Sequence, residues 1–264
     1  MRYPSDTHRS TGARRFATLL VIAAALAGST AHAQWSIEAG VEQFDWREHT
    51  TPIVVHEHGP RYFGAVGYML PTERGALFAY RGTVYGGNPD YNGSFQFDDT
   101  KAASGASTYL GTTQRAEARW RWPAIADGVL GLEYETWKRQ LSTTQEETYR
   151  TVSLRVGAEH LASATNRIVA GGGMRLLLDA SEDASIEAVG LTYLLALRPG
   201  RGSNPYLYAG ARIVPHLTVL GSWDGMNLGQ SNQVVLLKRG KPRAVVSQPS
   251  TDIMTLGVRL VYGW

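Results

Sequence analysis

The stretch TLGVRLVYGW, residues 255 to 264, alternates without a break. Leu256, Val258, Leu260, Tyr262 and Trp264 share one face, and Thr255, Gly257, Arg259, Val261 and Gly263 share the other. A period of two belongs to a β-strand, whose successive side chains point to opposite sides. The apolar face ends in aromatic rings, while the opposite face is small or polar and carries a full charge. In water such a strand buries the apolar row. In lipid it turns that row outward and must pair every backbone group with a neighbour, which only a closed barrel achieves for strands.

The same pattern recurs upstream. Ten segments of roughly nine to eleven residues, the length of a tilted membrane strand, fall near 34 to 46, 61 to 70, 76 to 86, 107 to 122, 129 to 139, 149 to 161, 167 to 178, 187 to 198, 205 to 214 and 252 to 264. In the fourth, Leu110, Thr112, Ala116, Ala118, Trp120 and Trp122 oppose Tyr109, Thr113, Arg115, Glu117, Arg119 and Arg121. In the sixth, Val152, Leu154, Val156 and Ala158 oppose Ser153, Arg155, Gly157 and Glu159. In the eighth, Val189, Leu191, Tyr193, Leu195 and Leu197 oppose Gly190, Thr192 and Arg198.

Short connections rich in Gly, Pro, Ser and Asn (71 to 75, 123 to 128, 162 to 166, 199 to 204) alternate with longer ones (47 to 60, 87 to 106, 140 to 148, 179 to 186, 215 to 251). Tight turns on one side and long loops on the other suit an all-β, antiparallel, up-and-down transmembrane barrel; ten strands is the expected count, with eight and twelve as alternatives. Aromatic residues gather near the short turns (Trp35, Tyr68, Trp120, Trp122, Tyr206, Trp264), and a looser set at the far ends (Trp46, Tyr85, Trp137, Tyr149) reads as a second interfacial band.

The amino end reads as a secretory leader over residues 1 to 33. Arg9, Arg14 and Arg15 precede an apolar run from Phe16 to Gly28, and Ala31-His32-Ala33 has the small-x-small form of a cleavage site. The whole chain has 26 Lys plus Arg against 23 Asp plus Glu; residues 1 to 33 hold four Arg and one Asp, so 22 of each sign remain from residue 34 on. Without that basic excess nothing points to nucleic acid. There is no cysteine, hence no disulfide and no thiolate zinc site. Glycine, 29 of 264 residues, is frequent inside the alternating segments, as suits a curved wall.

The leader, the alternating strands and the aromatic-ended last strand resemble the small outer-membrane β-barrel proteins of Gram-negative bacteria, the OmpA/OmpX-like porin superfamily, in the form without a periplasmic domain, over residues 34 to 264. The resemblance implies the bacterial outer membrane as the location. It implies an assembly signal in Leu260, Tyr262 and Trp264 read by the barrel-assembly machinery, and contact with outer-membrane lipid and lipopolysaccharide. It calls for no cofactor and no catalysis, and it leaves the oligomeric state open.

By parity the lumen receives Glu38, Glu42, Arg115, Glu117, Arg119, Glu133, Glu135, Arg155, Arg175 and Arg259, together with Arg121, Arg139, Arg212, Glu159 and Asp179. Glu133 is expected opposite Arg155 and diagonal to Arg115, and Arg259 is expected to face Glu38 and Glu42. A ten-stranded barrel is narrow enough for side chains to fill, so the expectation is a structural or porin-like barrel with an ion-paired lumen; the sharper reading is a narrow charged pore.

Three other features of the sequence stand out. His49, His56 and His58 could gather around a metal on the first loop, but His-x-His alone is weak and a solvated loop is the expectation. Lys238, Arg239, Lys241 and Arg243 form the basic tip of a hairpin in the loop 215 to 251, able to meet lipopolysaccharide phosphates or serve a surface adhesin. An omptin-like hydrolase remains as a remote alternative through Asp98-Asp99 and the histidines, since His160 lies near a short turn and His216 has no serine beside it.

Overall fold

The computed structural model describes residues 34–71, 76–95, 98–121, 126–162, 166–188, 191–238 and 241–263. The expected leader and Trp264 lie outside the described residues. Ten strands form the wall: β1 (Gln34–Glu48), β2 (Val55–Pro71), β3 (Ala76–Gly87), β6 (Thr108–Arg121), β7 (Asp127–Ser142), β8 (Gln145–His160), β9 (Ile168–Ala188), β11 (Ser203–Val214), β12 (Leu217–Leu228) and β15 (Thr251–Gly263). Each is antiparallel to the next in that order, and β15 returns to β1 from Ser36↔Gly263 to Glu48↔Thr251, so the barrel is closed. Closure leaves none of the ten with a free edge, the condition a strand needs in lipid.

Five further strands stand at one end only. They are β4 (Asp90–Phe95) with β5 (Asp98–Ala106), β10 (Leu191–Leu197) paired to the far part of β9, and the separate hairpin β13 (Val234–Lys238) with β14 (Lys241–Val246). This is the loop end. The opposite, turn end carries the connections 72–75, 122–126, 161–167 and 215–216.

The strand count agrees with expectation, but its membership does not. Segment 187–198 is no part of the wall. Its β10 pairs only with β9 beyond Glu182, and Leu195 and Leu197 pack with Leu236, Ala184 and Ile186 in a small apolar core outside the barrel. The tenth wall strand is β12, inside what reads as the longest loop, and the connection 199–204 accordingly lies at the loop end. The reason is physical: a water-exposed mini-core demands the same apolar alternation that lipid demands, whereas β12 carries Asp224, Gly221 and Gly225 and so shows a weak signal.

Parity breaks once on β9. The register steps from Ser153↔Leu177 to Val152↔Asp179, leaving Leu178 as an extra residue. Such a bulge reverses the faces beyond it. Asp179, expected in the lumen, is therefore outside, 3.9 Å from Arg198, and Glu182 takes an inward place with 1% exposure.

Elsewhere the wall is inside-out relative to a soluble protein. Outward-facing Leu132, Leu256 and Leu260 are 50 to 59% exposed, while inward-facing Glu133, Arg155 and Arg175 are 2 to 7% exposed. Leu132→Arg is expected to cost about 2 to 4 kcal/mol of folding free energy in lipid vesicles. A cost under about 1 kcal/mol, the figure for interfacial sites, would contradict the placement of Leu132 in the apolar band.

Candidate functional site: the barrel interior

Strand β7 shows the order of the interior, because its inward residues climb from the turn end as Val129, Glu133, Glu135, Trp137 and Arg139. Three tiers result: a vestibule, an ion-paired floor and an aromatic plug.

The plug fills the loop half. Phe44, Trp46, Tyr85, Tyr109, Trp137, Tyr149, Leu177, Met226, Leu228 and Ile253 form one buried cluster. Trp137 stacks on Tyr149 at 4.9 Å, and Trp46 meets Tyr149 edge-on at 5.5 Å. Tyr85 lies across Gly111, its partner on β6; a Cβ there would stand 2.4 Å from the ring, so glycine is what lets the aromatic fold flat against the wall. Above the rings, Arg139 holds three carboxylates. Its Nε donates to Glu57 Oε1 at 2.7 Å, and Nη1 donates to Glu48 Oε1 at 2.7 Å and Glu147 Oε2 at 2.8 Å. Trp46 Nε1 and the Tyr149 hydroxyl donate to Glu48 and Glu147 at 3.0 Å each, and the Arg139 guanidinium lies 4.6 Å from the Trp46 ring. On the outer wall at this level, Arg150 and Asp183 pair at 2.6 Å, which marks it as clear of the apolar band.

The floor is a lattice of guanidinium and carboxylate groups. Glu133 accepts from Arg115 at 2.5 Å and Arg175 at 2.6 Å, with Arg155 at 3.5 Å; Asp224 takes Arg155 at 2.8 Å and Glu135 takes Arg175 at 2.6 Å. Glu42 is held by Arg61 at 2.5 Å and Glu38 by Arg81 at 2.8 Å. Arg61 lies between Phe44 and Tyr85, 4.0 and 4.6 Å from their rings, and so joins floor to plug. The free space here is about 150 Å³.

Below the floor the barrel opens into a vestibule of about 1020 Å³ at the turn end. Glu117, Arg119 and Glu159 line it, with Arg119 2.7 Å from Glu117 and 3.0 Å from Glu159.

Of the residues named from the sequence for the lumen, Glu133, Arg155 and Arg175 are buried in the interior, Asp179 is outside, and the partners differ from those expected. Arg115, not Arg155, is opposite Glu133 in register. Arg259 approaches Glu38 at 3.8 Å, and Glu42 is taken by Arg61 instead. The side chain of Arg121 lies outside the description, while Arg212 donates to the Ala162 carbonyl at 3.0 Å. Sequence reasoning passed over Arg61, Arg81, Glu48, Glu57, Glu147, Glu182 and Asp224. Parity was available for most of them: Glu48 follows Glu38 and Glu42 in even steps.

The same parity corrects the outer aromatic band. Trp46, Tyr85, Trp137 and Tyr149 lie in phase with Glu42, Arg81, Glu135 and Arg155, and all four are buried inside the barrel. Tyr206, expected in the turn-side girdle, is also inside, its ring 3.8 Å from the Arg155 guanidinium. Trp35 and Trp120 face outward.

Of the assembly-signal residues, Leu260 and Tyr262 face outward. The basic hairpin forms and Lys241 is exposed; the side chains of Lys238, Arg239, Arg243, Asp98 and Asp99 lie outside the description. The histidines are drawn to separate acids, His49 to Asp252 and His56 to Asp45, each at 2.8 Å, with His58 stacked on His56. Among the described residues no group of three or more His, Cys, Asp or Glu could hold a metal ion.

The fold and interior define a class: a closed antiparallel β-barrel of the outer-membrane type. No family model and no curated protein matches the chain. Among solved structures it is similar to the outer membrane protease OmpT from Escherichia coli, with a TM-score of 0.53 and 8% identity over 88% of this chain and 96% of that one. It is also similar to the translocator domain of autotransporter NalP from Neisseria meningitidis (TM-score 0.41, 10% identity, 94% of each chain) and to the P. putida toluene transporter TodX (0.38, 10%, 89% and 90%). At such identities the likeness concerns the fold, and OmpT carries it.

Proposed function

We propose that the chain is an outer-membrane β-barrel without a through-channel, set with its turn end in the periplasm and its loop end outside. It serves as a structural wall that displays the loop-end strands on the cell surface. The observation that carries this reading is the plug: an aromatic cluster capped by Arg139 and its carboxylates fills the outer half of the lumen. The apolar outer wall and the leader read in the sequence support the location. The narrow-pore reading gains little from a floor with about 150 Å³ of space. Proteoliposomes containing the full chain are expected to swell in small non-electrolytes no faster than protein-free vesicles. Rapid, size-dependent swelling would refute the closed lumen.

A second reading, surface binding through the loop end, rests on the β13–β14 hairpin. One of its faces packs on β9 and β10, while Val235, Leu237 and Val245 on the other stay exposed beside the basic tip. OmpT is a protease by its name; the side chains of Asp98 and Asp99, on which a hydrolase reading of this chain rests, lie outside the description.

A further inference from the structure

We infer that the turn-end vestibule is a binding site for a small organic anion, an oxyanion group on an apolar body, with Arg259 as its anchor. Its volume of about 1020 Å³ is at the upper end of ordinary ligand pockets, far above a packing defect.

Among the described residues Arg259 makes no close ion pair. Its direct neighbours across the two flanking strands are Gly40 and Leu220, neither of which can neutralise it. The carboxylate near it, Glu38 at 3.8 Å, is already gripped by Arg81 through Nε at 2.9 Å and Nη2 at 2.8 Å. Arg115 is committed to Glu133, and Arg119 to Glu117 and Glu159. Arg259 Nε is buried and has no hydrogen-bond partner. Arg259 lines the cavity, and the planar fork of a guanidinium suits a carboxylate or phosphate oxygen pair. Arg212, which also lines the vestibule, satisfies one donor with a neutral carbonyl and so adds positive potential.

The rest of the wall argues for an apolar body behind the charge. Leu77, Val129, Tyr208 and Val261 line the same space, and the Tyr208 ring centre is 5.9 Å from the Arg259 guanidinium. Tyr208 lies against Gly171, its partner on β9, where a Cβ would stand 2.4 Å from the ring. The aromatic surface is thus held flat to the wall and the cavity stays open. With the floor closed, the site is a blind pocket reached from the turn end.

Calorimetry on the refolded full chain in detergent, titrated with benzoate, benzamide and inorganic phosphate, tests the inference without depending on lumen closure or orientation in the membrane. Benzoate is expected to saturate a single site, with benzamide and phosphate each about tenfold weaker or more, and Arg259→Gln is expected to weaken benzoate by about tenfold or more, the loss of one charge-assisted contact. Val261→Trp, which fills the space without touching a charge, is expected to abolish binding, and it serves should Arg259→Gln fail to fold. Absence of saturable benzoate binding, equal affinity for benzamide or phosphate, or binding unchanged in either folded variant would overturn the proposal.

Discussion

Arg139→Met is expected to destabilise the folded barrel by about 3 to 5 kcal/mol, the cost of removing one partner from a buried ion cluster. Arg139 is 1% exposed and is the hub for Glu48, Glu57 and Glu147, all of them buried. Methionine fills much of the volume but leaves three carboxylates facing one another over an aromatic floor. Urea titration in lipid vesicles reads the loss directly. Removing one of the stranded charges should recover part of it, so Arg139→Met combined with Glu57→Gln should be more stable than Arg139→Met alone. A single variant as stable as the parent would mean that water reaches these groups and the plug is not sealed.

Glu133→Gln should have an effect of similar size, about 3 to 5 kcal/mol, for the opposite reason. Glu133 is 2% exposed and lies among Arg115, Arg155 and Arg175. Losing its charge leaves three guanidinium groups sharing Glu135, Asp224 and a 3.7 Å contact to Glu117. Arg115 is its direct cross-strand neighbour, so a double-mutant cycle between Glu133→Gln and Arg115→Gln should show a coupling of about 1 to 3 kcal/mol. Coupling near zero would mean that the floor charges are solvated independently. Ser153, which alternation alone marks as a tolerant lumen position, is fully buried beneath Arg175, and there is no room for an arginine beside it.

Much of this was legible in the sequence because parity is a local property. Once Leu256, Val258 and Leu260 are set outward, Arg259 must face inward, and the same two-residue step assigns Glu133, Arg155 and Arg175. What parity cannot carry is anything that interrupts it or imitates it. The extra residue at Leu178 flips β9 and exchanges Asp179 for Glu182. Leu195 and Leu197 look like lipid-facing residues because a second apolar core lies over them. The aromatic plug is hidden for a different reason: position along the strand suggests an interfacial band for Trp46, Tyr85, Trp137 and Tyr149, whereas their phase with Glu42, Arg81, Glu135 and Arg155 puts them inside. The vestibule lay beyond reach altogether, since its size depends on how side chains from eight or more strands lie against the wall.

Closure of the outer half of the lumen is the central claim, and current through a planar bilayer holding the purified full-length barrel tests it most directly. With the plug seated, the recording should stay at the baseline of the bare membrane at moderate voltage of either sign. Reproducible unitary steps of fixed size in the unaltered protein would contradict it.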